Sequence, residues 1–193
     1  MKKLFLILTI LFGIIYPSEY LWPNDYEGSI TTTFAAPRFR RFHAGIDIRT
    51  YGEIGSNIYA IYDGYINRIK IESDNYGKAI YIKLTYLNIV LYSHLSKFNP
   101  KIEVLIKKLQ KKYNSSFFDH SLNKSEYIYV NKGDIIGYTG DTGSLSGPHI
   151  HFEIRDELNQ PINPLLKYYK IEDQLPPLAK SITFIDVFDS TSI

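Results

Sequence analysis

The chain contains no cysteine among its 193 residues. That excludes disulfides, thiolate metal sites, a thiol nucleophile and a lipid-modified cysteine near the N-terminus. A bias of charge is also missing. Twenty-two Lys and Arg face 20 Asp and Glu, for a net charge of +2. No basic face dense enough for a polyphosphate backbone is visible, so no nucleic-acid partner is expected. Long apolar runs are scarce. The one candidate, Leu4 to Tyr16, follows Lys2 and Lys3 and gives way to Pro17, Ser18 and Glu19. It is short for a membrane span and has the layout of an export signal over residues 1–18. Tyr16 and Pro17 stand where a cleavage site prefers small residues, so an uncleaved N-terminal anchor is the alternative.

What the chain does have is apolar residues, at 45%, and aromatic ones, with 17 Tyr and 11 Phe. The first is enough for a sizeable core, and the second suits β-strands. Thr31 to Phe34 looks like a short strand. From Ile58 to Leu95 short apolar runs are punctuated by Asp63-Gly64, Asp74-Asn75-Tyr76-Gly77 and a turn near Asn88, which suggests an antiparallel sandwich or barrel. Pro100 then opens a different pattern. Ile102, Leu105, Ile106 and Leu109 recur at helical spacing, with Lys107, Lys108, Lys111 and Lys112 elsewhere, predicting an amphipathic helix that ends near Asn114. Phe117 to His120 reads as loop. Strands resume at Tyr127–Val130 and Ile135–Tyr138. Beyond Ile154, Pro161, Pro164 and Pro176-Pro177 read as linker, and 182–188 as a final strand, either pairing with the main sheet or opening a further β domain.

Two stretches carry chemistry. In Gly147-Pro148-His149-Ile150-His151-Phe152-Glu153-Ile154, apolar residues alternate with polar ones, as in a half-buried strand. Residues i and i+2 of a strand share a face, so His149 and His151 stand together while Ile150 turns to the core. The second stretch is His43-Ala44-Gly45-Ile46-Asp47, whose His and Asp are four apart. Either pattern alone is weak. Together they offer nitrogen and oxygen ligands suited to zinc. The glycine-rich run Thr139–Gly147 lacks both G-K-[ST] and a following helix, which excludes a P-loop. His94 ends a strand, between Ser93 and Leu95, and no G-x-S-x-G elbow accompanies either flanking serine. Lys132-Gly133-Asp134 fits a lipoyl- or biotinyl-type carrier hairpin, a fold that has no use for the histidines.

His43-x-x-x-Asp47, Leu91-Tyr92-Ser93-His94-Leu95, Val130 to Gly137 and Gly147 to Ile154 together resemble the M23 peptidases, the lysostaphin- and LytM-type zinc endopeptidases of peptidoglycan. The resemblance runs from about Tyr20 to Leu166, interrupted between 99 and 126. It implies an all-β, mainly antiparallel, LytM-like fold with a short inserted helix, and a peptidase domain over 19–170. It implies one Zn²⁺ per chain on His43, Asp47 and His151, with His149 and His94 handling protons. It further implies a peptidoglycan peptide as substrate, export to the periplasm or cell envelope, and room for an envelope or divisome partner. Oligomeric state is left open. Coming directly after His94, the 99–126 insertion is expected to lie beside the substrate groove. The rival expectation is a catalytically silent relative that binds peptidoglycan and activates an amidase.

Overall fold

A computed structural model describes residues 20–85, 88–144, 147–169 and 171. The expected export signal and the expected strand at 182–188 lie outside the described residues. In chain order the strands are β1 (Ile30–Thr32), β2 (Pro37–Arg38), β3 (Arg41–Phe42), β4 (Ile46–Arg49), β5 (Asn57–Tyr59), β6 (Gly64–Ile71), β7 (Lys78–Leu84), β8 (Ile89–Ser93), β9 (Lys97–Phe98), β10 (Phe118–Ser121), β11 (Ile128–Val130), β12 (Ile135–Tyr138), β13 (His149–Arg155) and β14 (Pro161–Ile162). Helix α1 (Pro100–Tyr113) follows β9, and the single turn α2 (Pro164–Lys167) follows β14.

Among the described residues the main sheet has nine strands, ordered β1-β4-β13-β8-β7-β6-β10, with β11 also on β6 and β14 also on β13. A second sheet runs β5-β12-β9, and β2 and β3 form a separate hairpin. The pairs that build the centre of the main sheet are all antiparallel. The architecture is therefore mainly antiparallel β, as the resemblance implies.

The period-2 alternation gives the main sheet two distinct faces. Ile46, Ile48, Ile80, Ile82, Val90, Tyr92, Ile150, Phe152 and Ile154 are fully buried on one of them. Ile58, Phe98 and Ile136 from the smaller sheet join the same cluster. Burying each such side chain contributes roughly 1.5–3 kcal/mol, which holds the strands in register. A bulge between Ile66 and Arg68 resets the alternation, so Ile66 and Ile69 both reach the core although they are an odd three positions apart. Asn67, at that bulge, keeps a buried side-chain oxygen without a hydrogen-bond partner among the described residues.

Helix α1 starts where its local chemistry directs. Asn99 caps it by accepting from the Lys101 N–H at 2.9 Å, Pro100 occupies the first turn, and Asn114 ends it in the left-handed region at φ 47°. Its apolar stripe of Ile102, Ile106 and Leu109 is buried in the main core. The helix thus packs with the core face of the sheet. The stretch after it departs from the expected loop. Phe118–Ser121 is strand β10, paired with Arg68–Ile71 of β6. Only Phe118 is buried there, so this polar edge strand has no apolar alternation to announce it, and an Arg68–Asp119 ion pair fastens it. His120 on this strand meets the Tyr113 hydroxyl at 2.7 Å and Glu126 at 3.2 Å.

Candidate metal centre

The face of the main sheet opposite the core carries the polar residues. Strands β4 and β13 are neighbours, and their register sets His151 opposite Asp47 and His149 opposite Arg49. Opposed side chains on an antiparallel pair stand within about 4.5–5.5 Å at Cβ, so this register alone brings Asp47 to both histidines. His43 enters from the end of the β2–β3 hairpin. Its backbone is tied on both sides, N–H to the Ala36 carbonyl at 2.9 Å and carbonyl to the Ala35 N–H at 2.8 Å. Gly45 allows the approach to β13. A Cβ there would lie 2.2 Å from the Phe152 carbonyl oxygen, so close packing against a neighbouring backbone, more than a sharp turn, accounts for this glycine.

Three atoms converge. His43 Nε2 lies 2.9 Å from His151 Nδ1, and Asp47 Oδ1 lies 3.0 Å from each. All three residues are buried. Their outer partners fix the tautomers. His43 Nδ1 faces the Thr33 carbonyl at 2.8 Å and His151 Nε2 faces the Glu153 carboxylate at 2.7 Å. Both partners only accept, so those nitrogens carry the protons. In neutral rings the inner nitrogens then present lone pairs, as does Asp47 Oδ1. Three lone pairs aimed at one point, with no proton among them, call for a cation. The set of two imidazoles and one carboxylate, each held by an outer hydrogen bond, fits Zn²⁺. Among the described residues His43, Asp47 and His151 form a group able to hold a metal ion.

Electrostatics point the same way. Burial pushes the Asp47 carboxyl up, but His151 and His43 outweigh that and hold it well below the usual carboxylate range. Burial pulls His151 down, yet Asp47 and Glu153 more than offset it and its pKa is raised. The pocket between these groups therefore favours positive charge. Arg38 occupies the other side of the carboxylate, donating from Nη2 to Asp47 Oδ2 at 2.9 Å and leaving Oδ1 for the centre.

His149 and His94 stand apart from this triangle. Each donates Nδ1–H to a carbonyl, His149 to Gly147 at 2.9 Å and His94 to Thr142 at 2.8 Å, so each keeps an Nε2 lone pair. His149 Nε2 sits 3.6 Å from Asp47 Oδ1. The two rings meet edge-on with centroids 4.7 Å apart. His94 follows β8 with φ 63°, a left-handed conformation rare for a residue with a side chain. Burial, with help from His149 and His151 and against its bond to Thr142, lowers its pKa to about 4. It is a neutral base at pH 7.

All five residues singled out from the sequence line one cleft of about 1000 Å³. No residue of the 99–126 insertion lines it, which corrects the expectation that the insertion borders the groove. Four contributors were not singled out: Glu153, Tyr76, Arg155 and Arg38. Glu153 is fully buried, where the alternation suggested a solvated position. Tyr76 donates to its Oε1 at 2.7 Å and Arg155 to its Oε2 at 2.6 Å, and with Tyr81 and Leu91 nearby they cover that part of the face. The signal that could have revealed Glu153 was its place two residues beyond His151 on the same strand face. Arg38 gave no such signal, being nine positions from Asp47.

Comparison with known proteins agrees with this geometry. The pattern of Peptidase family M23 matches residues 104–164. The DD-carboxypeptidase/endopeptidase Mpg of Neisseria meningitidis serogroup B is 32% identical over 125 residues, covering 65% of this chain and 22% of that protein. The chain thus spans about a fifth of that relative's length. Among solved structures, a zinc containing peptidase from Vibrio cholerae superposes with a TM-score of 0.51 at 25% identity, over 77% of this chain and 37% of that one. The catalytic domain of lysostaphin from Staphylococcus simulans, at 21% identity and a TM-score of 0.51 over 71% of this chain and 89% of its own, shares the fold. With the ordered motifs, the sheet and the converging His, Asp and His side chains, the chain is similar to peptidase family M23, whose pattern it matches over residues 104–164.

Proposed function

We propose that the chain is a zinc-dependent endopeptidase that hydrolyses peptide bonds in peptidoglycan. The observation that carries this reading is the inward set of three lone pairs on His43, Asp47 and His151 beside two further imidazoles with free Nε2 atoms. Zn²⁺ on those three residues would supply Lewis acidity to the scissile carbonyl and to the attacking water. The remaining chemistry belongs to the side chains. His149 and His94, held by the Gly147 and Thr142 carbonyls, present Nε2 to the cleft as proton acceptors. The ring that takes the water's proton becomes an imidazolium, and its Nε2–H then serves the leaving amine. Arg38 and Glu153 hold Asp47 and His151 in the orientation the ion needs. A peptidoglycan substrate places the working protein in the envelope. That fits an export signal over 1–18 ahead of a peptidase domain over 19–170.

Zinc content and digestion of purified peptidoglycan, analysed by mass, test the reading. His149→Ala is expected to keep the metal and lose turnover, and Asp47→Ala to lose both. Stoichiometric zinc with no product from any peptidoglycan preparation would favour the silent, amidase-activating alternative.

A further inference from the structure

The 99–126 insertion has no part in the cleft, yet the chain's excess of positive charge resides on it. It holds six Lys against three acidic residues, while the rest of the chain holds 16 basic residues against 17 acidic. Five of the six are on α1, namely Lys101, Lys107, Lys108, Lys111 and Lys112, and all five are exposed. None of them makes an ion pair among the described residues. Glu103, the one acidic residue of the helix, accepts from the Phe98 N–H at 3.0 Å. Glu126 attracts Lys112 from a distance, but Asn123 and His120 already hold its carboxylate.

The placement of these lysines has a pattern. Residues three, four and seven apart share a face of a helix. Lys101 lies three before Val104, and Lys107, Lys108 and Lys111 lie three, four and seven after it, so four lysines surround this valine. Val104 itself is 57% exposed. The opposite stripe of α1, Ile102, Ile106 and Leu109, is buried in the core. The fold does not call for the charge. Lys111 and Lys112 complement the helix dipole in the last turn, but Lys101 opposes it in the first. Lys107 with Lys111, and Lys108 with Lys112, are like charges four apart, which weakens a helix. A merely solvated face mixes signs, whereas this one is uniform with an apolar side chain at its centre.

We propose that this face of α1 docks on an anionic phospholipid bilayer. A cluster of about four to eight basic residues on a helix is drawn to an anionic lipid surface. Lipids diffuse, so their headgroups gather under charges spread along a helix about 21 Å long. A soluble phosphate polymer would also meet the lysines, but it has no use for Val104, which suits the apolar boundary beneath the headgroups. The buried stripe stays in the core, so α1 rests on the surface and does not insert. No residue of α1 lines the cleft, so a docked chain keeps it uncovered. Docking of this kind is independent of the reaction there.

The test uses the full chain and co-sedimentation with vesicles of phosphatidylcholine, alone or mixed with phosphatidylglycerol. The N-terminal apolar run adds to binding of both, so the readout is the ratio between them. The mixed vesicles are expected to bind on the order of 10²–10³-fold more tightly, with the ratio falling as salt is raised. Lys101→Gln, Lys108→Gln and Lys111→Gln together should reduce it on the order of 100-fold, without lowering the unfolding midpoint. Lys101→Arg, Lys108→Arg and Lys111→Arg together should retain it. Val104→Ser should weaken vesicle binding by about threefold to tenfold and leave binding of inorganic polyphosphate unchanged. Equal binding of the two kinds of vesicle overturns the inference. So does a ratio that the Gln variant leaves intact, or one lost equally in the Arg variant. Tighter binding of polyphosphate than of vesicles, with no effect of Val104→Ser on either, also overturns it and gives the face to a soluble phosphate polymer.

Discussion

The two faces of the main sheet are built from the same strands under opposite rules. On the core face of β13, Ile150, Phe152 and Ile154 are fully buried and need only shape. On the other face, His151 and Glu153 are also buried, but each polar atom there has a named partner. A single strand therefore supplies stability with its even-numbered residues and chemistry with its odd-numbered ones. The lesson is that the two should respond separately to substitution, and four variants test how far that holds.

The largest effect is expected on the core face. Phe152→Ala removes a fully buried ring and should cost about 3–5 kcal/mol in denaturant unfolding. On the polar face, His149→Ala should leave the unfolding midpoint close to wild type and lower kcat on peptidoglycan by about 10²–10⁴-fold. Glu153→Gln sharpens the contrast further. It keeps the side chain's shape but weakens the hold on the His151 tautomer, so zinc affinity should fall by about 10–100-fold in a chelator competition. Smallest is the helix. Asn99→Ala removes the cap of α1 and should cost about 1 kcal/mol, with peptidoglycan turnover unaffected because α1 lies outside the cleft. Loss of activity in Asn99→Ala at full zinc occupancy would break the separation.

Acid should connect the two faces. His94 is held near pKa 4 by burial, against 6.5 for a free ring. The unfolded chain therefore takes up this proton first as pH falls. The stability that the neutral ring provides is present above about pH 6.5 and is lost progressively toward about pH 4. NMR of the His94 imidazole should show it neutral at pH 5, and a ring already charged at that pH would contradict its burial.

How much of this was legible in the sequence follows the same division. The strands β6, β7 and β8 and the pairing of His149 with His151 were readable because period-2 alternation reports directly on faces. The helix was readable from its 3.6-residue spacing, but not the side of the sheet it would cover. Amphipathicity names the buried stripe and says nothing of what buries it. Glu153 illustrates the same gap, since alternation placed it on the correct face, while only Tyr76 and Arg155, arriving from elsewhere in the fold or later in the strand, turn that face into an interior. Strand β10 escaped because its only buried residue is Phe118. Arg38 escaped because a contact made across a hairpin leaves no periodic trace.

The central claim is that His43, Asp47 and His151 hold one metal ion by the atoms that converge between them. X-ray absorption on the zinc-loaded chain tests it most directly. The account predicts one zinc per chain, a nitrogen and oxygen shell near about 2.0–2.1 Å, and two imidazoles in wild type that become one in His151→Ala. No stoichiometric zinc, or an imidazole count that His151→Ala does not change, would contradict it.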